Sequence, residues 1–205
     1  VPCVETGARN LGIDDAAVFV DDDALAKLAV RHLSGLGLAG LAYCGLGRRW
    51  PSARRAEHFC KHAVGAGYLA SVFEESVPEG EADLDRLTQW LRKLPKPVGV
   101  LAYDDKMAER VLAACAWGGI PVPGEVAVVG IGNDELMCQL AHPALSSVAL
   151  PTAEIGRRAA ELLDRRLRGR GRWRMREALA PREVIARAST DRFPTVDPVV
   201  SAAIE

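Results

Sequence analysis

The sequence "GVLAYDDKMAERVLAACAWGGIPVPGEVAVVGIGNDEL", residues 99–136, decides the fold of this chain. An unbroken apolar run at 98–103 ends in Asp104 and Asp105, and the helix pattern "DKMAERVLAACAWGG" follows it. A second apolar run, "VAVVGI", comes next and ends in the polar cluster "GNDE". A strand, a helix and a strand in this order predict two parallel strands joined by a crossover helix.

The same alternation extends to both sides of this stretch. Apolar runs at 17–21, 40–46 and 68–73 are separated by helix patterns, and a long helix pattern, "TAEIGRRAAELLDRRLRG", precedes the strand-like "EVIARAST". The runs are nearly continuous, which is typical of parallel strands covered by helices on both faces. We therefore predict an α/β fold with parallel sheets flanked by helices.

Composition excludes several functional classes. The 205 residues are 49% hydrophobic with a formal net charge of −1, which argues against disorder and against a general attraction to nucleic acid or membrane. The five cysteines are odd in number and lack a CxxC spacing, which indicates a reducing, cytoplasmic location. No metal-ligand cluster, Gly-rich phosphate loop or GxSxG motif occurs in the sequence. We expect no resident cofactor, no metal and no catalytic residue.

Three polar segments follow apolar strands and are candidates for a ligand site. In open parallel sheets, ligands bind beyond the carboxyl ends of the strands. Carboxylates, an amide and arginine can hydrogen-bond hydroxyl groups, and an indole ring can stack on a sugar ring. A polyol fits this set better than a nucleotide. The candidate residues are Trp50, Arg54, Asp104, Asp105, Asn133 and Asp134.

Each candidate also has a simpler interpretation. Asp104 or Asp105 can cap the helix that follows, and Asn133 can be a turn residue. Trp50 can be a core side chain, and Arg54 can be a solvated helix charge. The basic stretch "RRLRGRGRWRMR" suggests nucleic acid binding, but its position after a helix favours a solvated connection.

The chain resembles the effector-binding domain of the lactose-repressor/periplasmic-binding-protein-like family. The resemblance lies in the order of a strand, an Asp, a helix, the motif "GIPVPGEVAVVG" and a polar turn. It continues in the segment "HPALSSVALPTAEIGRRAAELL". The segments "GRRWPSARR" and "REVIARASTD" are similar to xylose-responsive regulators, in which an AraC-type helix-turn-helix domain follows the effector domain. The resemblance covers essentially the whole chain; it is specific over 98–148 and weaker before Gly40.

The resemblance implies a two-lobed, type I periplasmic-binding-protein-like fold with a sugar in the cleft. It places a sugar-gripping arginine at Arg54, the strand-end ligand pair at Asp104 and Asp105, and the polar turn of the second lobe at Asn133. The sequence departs from the family at Gly132, where an Asp is common. The expected division is an N-terminally truncated first lobe at 1–67, a second lobe at 68–148, a crossover helix at 149–170, a return strand of the second lobe at 171–190 and a linker at 191–205.

The function implied is that of a sugar-sensing effector domain of a bacterial transcription regulator. We expect a xylose-like pentose as ligand, a homodimer, no membrane partner, and DNA binding through a domain outside this chain. A periplasmic-type sugar receptor is the first alternative. A carbohydrate-active α/β enzyme that uses Asp104, Asp105 and Glu135 for acid/base chemistry is a weaker one.

Overall fold

The structure is a computed structural model that describes residues 2–7, 16–47, 50–75, 81–169 and 175–192. The strands are β1 (Val4–Glu5), β2 (Ala16–Val20), β3 (Gly40–Leu46), β4 (Ala70–Glu75), β5 (Val98–Ala102), β6 (Val126–Gly132), β7 (Ser146–Ala149), β8 (Arg176–Leu179) and β9 (Val184–Ile185). The helices are α1 (Asp22–Ser34), α2 (Trp50–Gly65), α3 (Glu81–Lys93), α4 (Asp105–Gly118), α5 (Glu135–Leu140) and α6 (Thr152–Leu167), and a short 3-10 helix spans Ala188–Thr190.

The strands form two sheets. The small sheet has the order β1-β2-β8 and the large sheet has the order β4-β3-β5-β6-β7-β9. All pairs are parallel except β7 with β9. The predicted α/β class, with parallel sheets flanked by helices, is confirmed.

The large sheet is buried on both faces, as its apolar strands predict. Ala42 and Val100 face one core cluster, which α3 and α4 complete with side chains such as Leu91. The next residues along the strands, such as Tyr43, face a second cluster that includes side chains of α1 and α2. Since successive side chains of a strand point to opposite faces, both sets of positions must be apolar, and the usual polar alternation disappears.

The strand β3 does not lie where the expected division at residue 67 places it. Its residue Leu41 pairs with Ala70 of β4, and its residue Gly40 pairs with Val98 of β5. The structure therefore puts β3 in the large sheet and corrects the expectation that residues 1–67 form one lobe. The physical reason is burial: β3 needs apolar cover on both faces, which a position inside the large sheet provides.

The chain crosses between the two sheets at three places within the described residues. It leaves the small sheet between β2 and α1, and it returns between β7 and α6, whose residues Ile155, Ala159 and Leu162 pack against the small sheet. The strand β8 pairs with β2, so only the β9 part of the expected return strand lies in the large sheet. The third crossing follows β8. Most of the expected linker, residues 193–205, lies outside the described residues.

Across the part of the chain that the structure describes, no helix combines the length and the apolar character needed to cross a membrane.

Candidate functional site

A cavity of about 360 Å³ lies at the first two crossings between the sheets. It occurs beyond the carboxyl end of β2, the place where open α/β sheets hold ligands. Its lining residues come from the segments that follow β1 and β7, from the end of β2, from α2 and from the starts of α1 and α6. They are Thr6, Gly7, Val20, Asp22, Arg55, Leu150, Thr152, Ile155 and Gly156.

A larger groove of about 780 Å³ lies elsewhere, between α1, α2 and the residues that follow β8. Its lining includes Leu28, Arg31, Ala66 and Pro181. Asp22, Arg54 and Arg55 are not among the described residues that line this groove. We place the candidate site at the smaller cavity, because there a buried carboxylate meets arginine side chains.

Asp22 is the central charge of the cavity. Asp21 caps α1 by accepting hydrogen bonds from the backbone N–H groups of Asp23 and Ala24, both at 3.0 Å, which leaves Asp22 as the first helical residue. The Asp22 side chain is 1% exposed, and its Oδ1 accepts a hydrogen bond from Arg55 Nε at 3.0 Å. Within the described residues its Oδ2 has no hydrogen-bond partner. A buried acceptor of this kind can receive a ligand hydroxyl.

Two neighbouring arginines of α2 approach Asp22 from the large sheet. Arg55 also donates from Nη1 to the backbone oxygen of Tyr103 at 2.9 Å, and its guanidinium carbon lies 5.0 Å from the centre of the Tyr103 ring. Arg54 Nε lies 3.7 Å from Asp22 Oδ2, and the Arg54 side chain is 32% exposed. The predicted Arg54 therefore lies beside Asp22, and Arg55 connects the cavity to the end of β5.

A partly solvent-exposed cluster beside the cavity links α1 to α2. Asp23 Oδ1 lies 3.0 Å from Lys61 Nζ and 3.1 Å from a ring nitrogen of each of His58 and His62. The hydrogen bond from Lys61 is the largest cause that holds the pKa of Asp23 at about 2, and the two histidines add to it.

The predicted residues at the end of β5 have different surroundings. Asp104 is the N-cap of α4, since its Oδ1 accepts a hydrogen bond from Met107 N at 2.7 Å. Asp105 is 4% exposed, and its two oxygens accept hydrogen bonds from Ser147 Oγ at 2.5 Å and from Asp134 N at 2.8 Å. Asp105 thus holds the turn after β6, and a direct ligand contact for it stays a prediction.

The turn after β6 is built around a glycine. A Cβ atom at Gly132 would lie 2.9 Å from Asp105 Oδ2, and the Gly132 φ of +133° disfavours any side chain. A second carboxylate at this position would also face the charge of Asp105. The departure from the family at Gly132 therefore matches the space that Asp105 fills.

The remaining predicted residues lie at or near the same sheet edge. Asn133 has φ 56°, donates its N–H to Ser147 Oγ at 3.0 Å and accepts a hydrogen bond at Oδ1 from Arg187 Nη2 at 2.9 Å. Asp134 caps α5 by accepting from Met137 N at 3.0 Å. Trp50 is the first residue of α2, and the structure does not describe its side chain.

The cavity brings together residues that the sequence analysis did not select. Asp22 and Arg55 line it, whereas none of the six predicted residues is among its described lining. The sequence does contain patterns that point to these two residues: three consecutive acids, "DDD", at the end of β2 and two consecutive arginines, "RR", in α2. Over the described residues, no three His, Cys, Asp or Glu side chains are placed to share a metal ion. The site instead offers fixed donors and acceptors, which suit a neutral polyhydroxylated ligand.

Comparison with known proteins agrees with this architecture. The family model of the periplasmic binding protein-like domain matches residues 30–190. The xylose operon regulatory protein of Escherichia coli (strain K12) is 35% identical over 194 residues, which are 91% of this chain and 49% of that protein. The chain thus spans about half the length of the curated relatives it matches.

Solved structures show the same similarity. The structure of a xylose-binding transcription activator has a TM-score of 0.84 and 33% identity, and the match covers 98% of this chain and 55% of that one. A LacI family transcriptional regulator from Arthrobacter sp. FB24, in complex with lactose, has a TM-score of 0.77 and 29% identity, with 93% of this chain and 71% of that one covered. The family resemblance expected from the sequence is confirmed, and the chain belongs to the periplasmic binding protein-like domain family.

Proposed function

We propose that this chain is the sugar-sensing effector domain of a bacterial transcription regulator. The observation that carries the proposal is the buried Asp22 carboxylate, which lines a cavity between two parallel sheets with one oxygen bound by Arg55 and the other without a hydrogen-bond partner in the described structure. A buried acceptor is costly unless a hydrogen-bond donor satisfies it, and a ligand hydroxyl is such a donor. The family, whose similar members include sugar-bound regulators, supports a sugar in that place.

A pentose such as D-xylose is the ligand that we propose. The cavity of about 360 Å³ lies at the small end of the range of ligand sites. In the cavity lining Arg55 supplies donors and Asp22 supplies an acceptor, and Arg54 lies beside Asp22 with its Nε 3.7 Å from Oδ2. The names of the similar regulators include xylose, which supports testing that sugar first.

The proposed mechanism follows from the position of the cavity between the sheets. A ligand that contacts both sheets favours the arrangement in which they close on it, and it shifts the equilibrium by its differential affinity. In the full-length regulator, this shift would reposition an attached helix-turn-helix domain within a cytoplasmic homodimer. DNA recognition belongs, in this proposal, to that other domain.

The two alternatives predict different behaviour. A periplasmic-type receptor shares the fold and the cleft but would not alter the affinity of any attached domain for DNA. For the enzyme alternative, the carboxylates have structural partners that favour binding over catalysis. Asp104 caps α4, both oxygens of Asp105 accept hydrogen bonds, and Glu135 accepts one from Gln139 at 3.1 Å.

Calorimetry and thermal unfolding with D-xylose, D-ribose, L-arabinose and D-glucose test the proposal. A sugar at 100 times its Kd should stabilise the fold by about 2.7 kcal/mol, which raises Tm by roughly 5–11 °C for a chain of this size. Arg54→Ala should abolish this shift without unfolding the protein, since Arg54 is 32% exposed. Arg31→Ala, an exposed arginine at the far end of α1, serves as the matched control.

Two results would contradict the proposal. No shift with any of the sugars would remove the sensing function. Conversion of a sugar or a glycoside, followed by NMR of the mixture, would favour the enzyme.

A further inference from the structure

Arg187 connects the turn after β6 with the segment that follows β9. Its Nη1 donates to the backbone oxygen of Leu145 at 2.8 Å, and its Nη2 donates to Asn133 Oδ1 at 2.9 Å. The planar guanidinium can make both bonds at once because its donors form a rigid fork. Lysine cannot reproduce this geometry.

The bond to Arg187 fixes the side-chain amide of Asn133. A guanidinium has donors only, so the atom that it contacts must be the amide oxygen. The two N–H groups of Nδ2 are then the donors that remain to Asn133. Among the described residues other than glycine, Asn133 alone has a positive φ, and its backbone N–H is bound to Ser147 Oγ. The turn is thus held from the backbone by Ser147 and from the side chain by Arg187.

The segment Ala188–Thr190 is bound to the large sheet through buried hydroxyl groups. Ser146 Oγ accepts from Arg187 N at 2.7 Å and lies 2.7 Å from Thr190 Oγ1. Ser189 Oγ donates to the backbone oxygen of Val128 at 2.6 Å and accepts from Ser146 N at 2.8 Å. Ser146 and Ser189 are both 0% exposed, and Ser146 Oγ is bound to the backbone of Arg187, so a shift of that backbone disturbs a buried hydrogen bond.

We infer that Arg187 is a positioning residue. By binding Asn133 Oδ1 it orients the amide so that Nδ2 remains to donate to a ligand, and it couples the turn after β6 to the segment Ala188–Thr190. The part of the inference that concerns sugar rests on the proposed function. Asn133 is not among the described lining of the Asp22 cavity, so the inference requires a sugar that extends from that cavity to Asn133 Nδ2. A hydrogen bond accepted from Nδ2 reinforces the bond between Asn133 Oδ1 and Arg187. Occupancy of the cleft then stabilises the segment Ala188–Thr190.

Hydrogen exchange of the whole chain without sugar tests the coupling itself. Arg187→Met should speed exchange at the amides of Asn133 and Asp134, and Asn133→Ala should speed exchange at residues 188–190, because coupling between two sites is reciprocal. Arg182→Met is the matched control: it removes an arginine between β8 and β9 but leaves the two contacts of Arg187 in place.

A second arm with D-xylose tests the role in binding. The sugar should slow exchange at both the turn and residues 188–190 in the wild-type chain. Arg187→Met should weaken D-xylose binding by about tenfold and remove the sugar-dependent protection of residues 188–190. Asn133→Asp should keep that segment protected without sugar, because a carboxylate still pairs with Arg187, yet it should bind D-xylose weakly because the Nδ2 donors are gone.

The outcomes separate the two proposals. Absence of binding by the wild-type chain to D-xylose and to the other sugars overturns the proposed function, and the sugar-free arm then decides the coupling alone. Unchanged exchange at residues 188–190 in Asn133→Ala overturns the coupling. A wild-type Kd for D-xylose in Arg187→Met overturns the positioning role.

Discussion

Replacement of Asp22 by Asn tests the buried charge at the candidate site. The substitution keeps the shape of a side chain that is 1% exposed, removes its charge and replaces one acceptor oxygen by an NH2 donor. The new amide can still accept a hydrogen bond from Arg55. At the position of Oδ2, however, an N–H group would face Arg54 Nε across 3.7 Å, where both groups are donors.

The expected loss of stability follows from what remains buried. Arg55 is 13% exposed and loses its counter-charge, although it keeps the Tyr103 backbone oxygen and the Tyr103 ring. Breaking a fully buried ion pair costs about 3–5 kcal/mol, and the loss of a charged hydrogen bond costs about 1.5–3 kcal/mol. Because Arg55 keeps other partners and Arg54 reaches solvent, we expect Asp22→Asn to lower the free energy of unfolding by about 2–3 kcal/mol.

Urea unfolding followed by circular dichroism measures this loss. The midpoint should fall with an unchanged slope, and Tm should fall by roughly 4–12 °C. The double variant with Arg55→Met should cost less than the sum of the two single variants, since it leaves no unpaired buried charge. Asp23→Asn is the control on the exposed side, and its midpoint should stay close to that of the wild-type chain. A loss below about 1 kcal/mol in Asp22→Asn, or additive single effects, would refute the reasoning.

Three further results are expected. Gly132→Ala should destabilise the chain by about 1–3 kcal/mol in urea unfolding, since its Cβ would lie 2.9 Å from Asp105 Oδ2 at φ +133°, whereas Gly156→Ala in open space should not destabilise it. Asp104→Asn should keep the wild-type Tm because Asn also caps helices, and calorimetry should show a loss of sugar affinity of roughly 1–3 kcal/mol if the carboxylate contacts hydroxyls; unchanged affinity would leave it a cap only. Burial raises the pKa of the Cys115 thiol to about 12, so this thiol loses its proton at a lower pH in the unfolded chain than in the folded chain. Stability measured by urea unfolding should therefore fall as pH rises from roughly 8.5 toward 12, and Cys115→Ser should flatten this slope.

The fold class could be predicted from local sequence because strands that are buried on both faces consist almost entirely of apolar residues. The runs at β3, β5 and β6 are apolar at successive positions, and the structure covers both faces of each with helices. The motif around residues 119–130 and the polar turn after it also identified the family, which the match over residues 30–190 confirms.

The order of strands in the sheets could not be predicted in the same way. An apolar run shows that a strand is buried, but it does not show which neighbours bury it. The pairing of β3 with β5 joins segments separated by the whole of α2, β4 and α3, and no local pattern in β3 selects β5 over β2. The incorrect division at residue 67 has this cause.

The candidate site, like the fold, was predictable from the sequence only in part. The sequence by itself determined that polar residues follow buried strands, and so it selected Asp104, Asn133 and the basic loop that contains Arg54. Tertiary structure alone decided that Asp22 is buried against Arg55, which lies 33 positions away, and that Arg187 reaches Asn133 across 54 positions. The physical reason is that residue type and spacing fix which face of an element is apolar, whereas the partner of a buried charge depends on how distant elements pack, a long-range property that no local pattern carries.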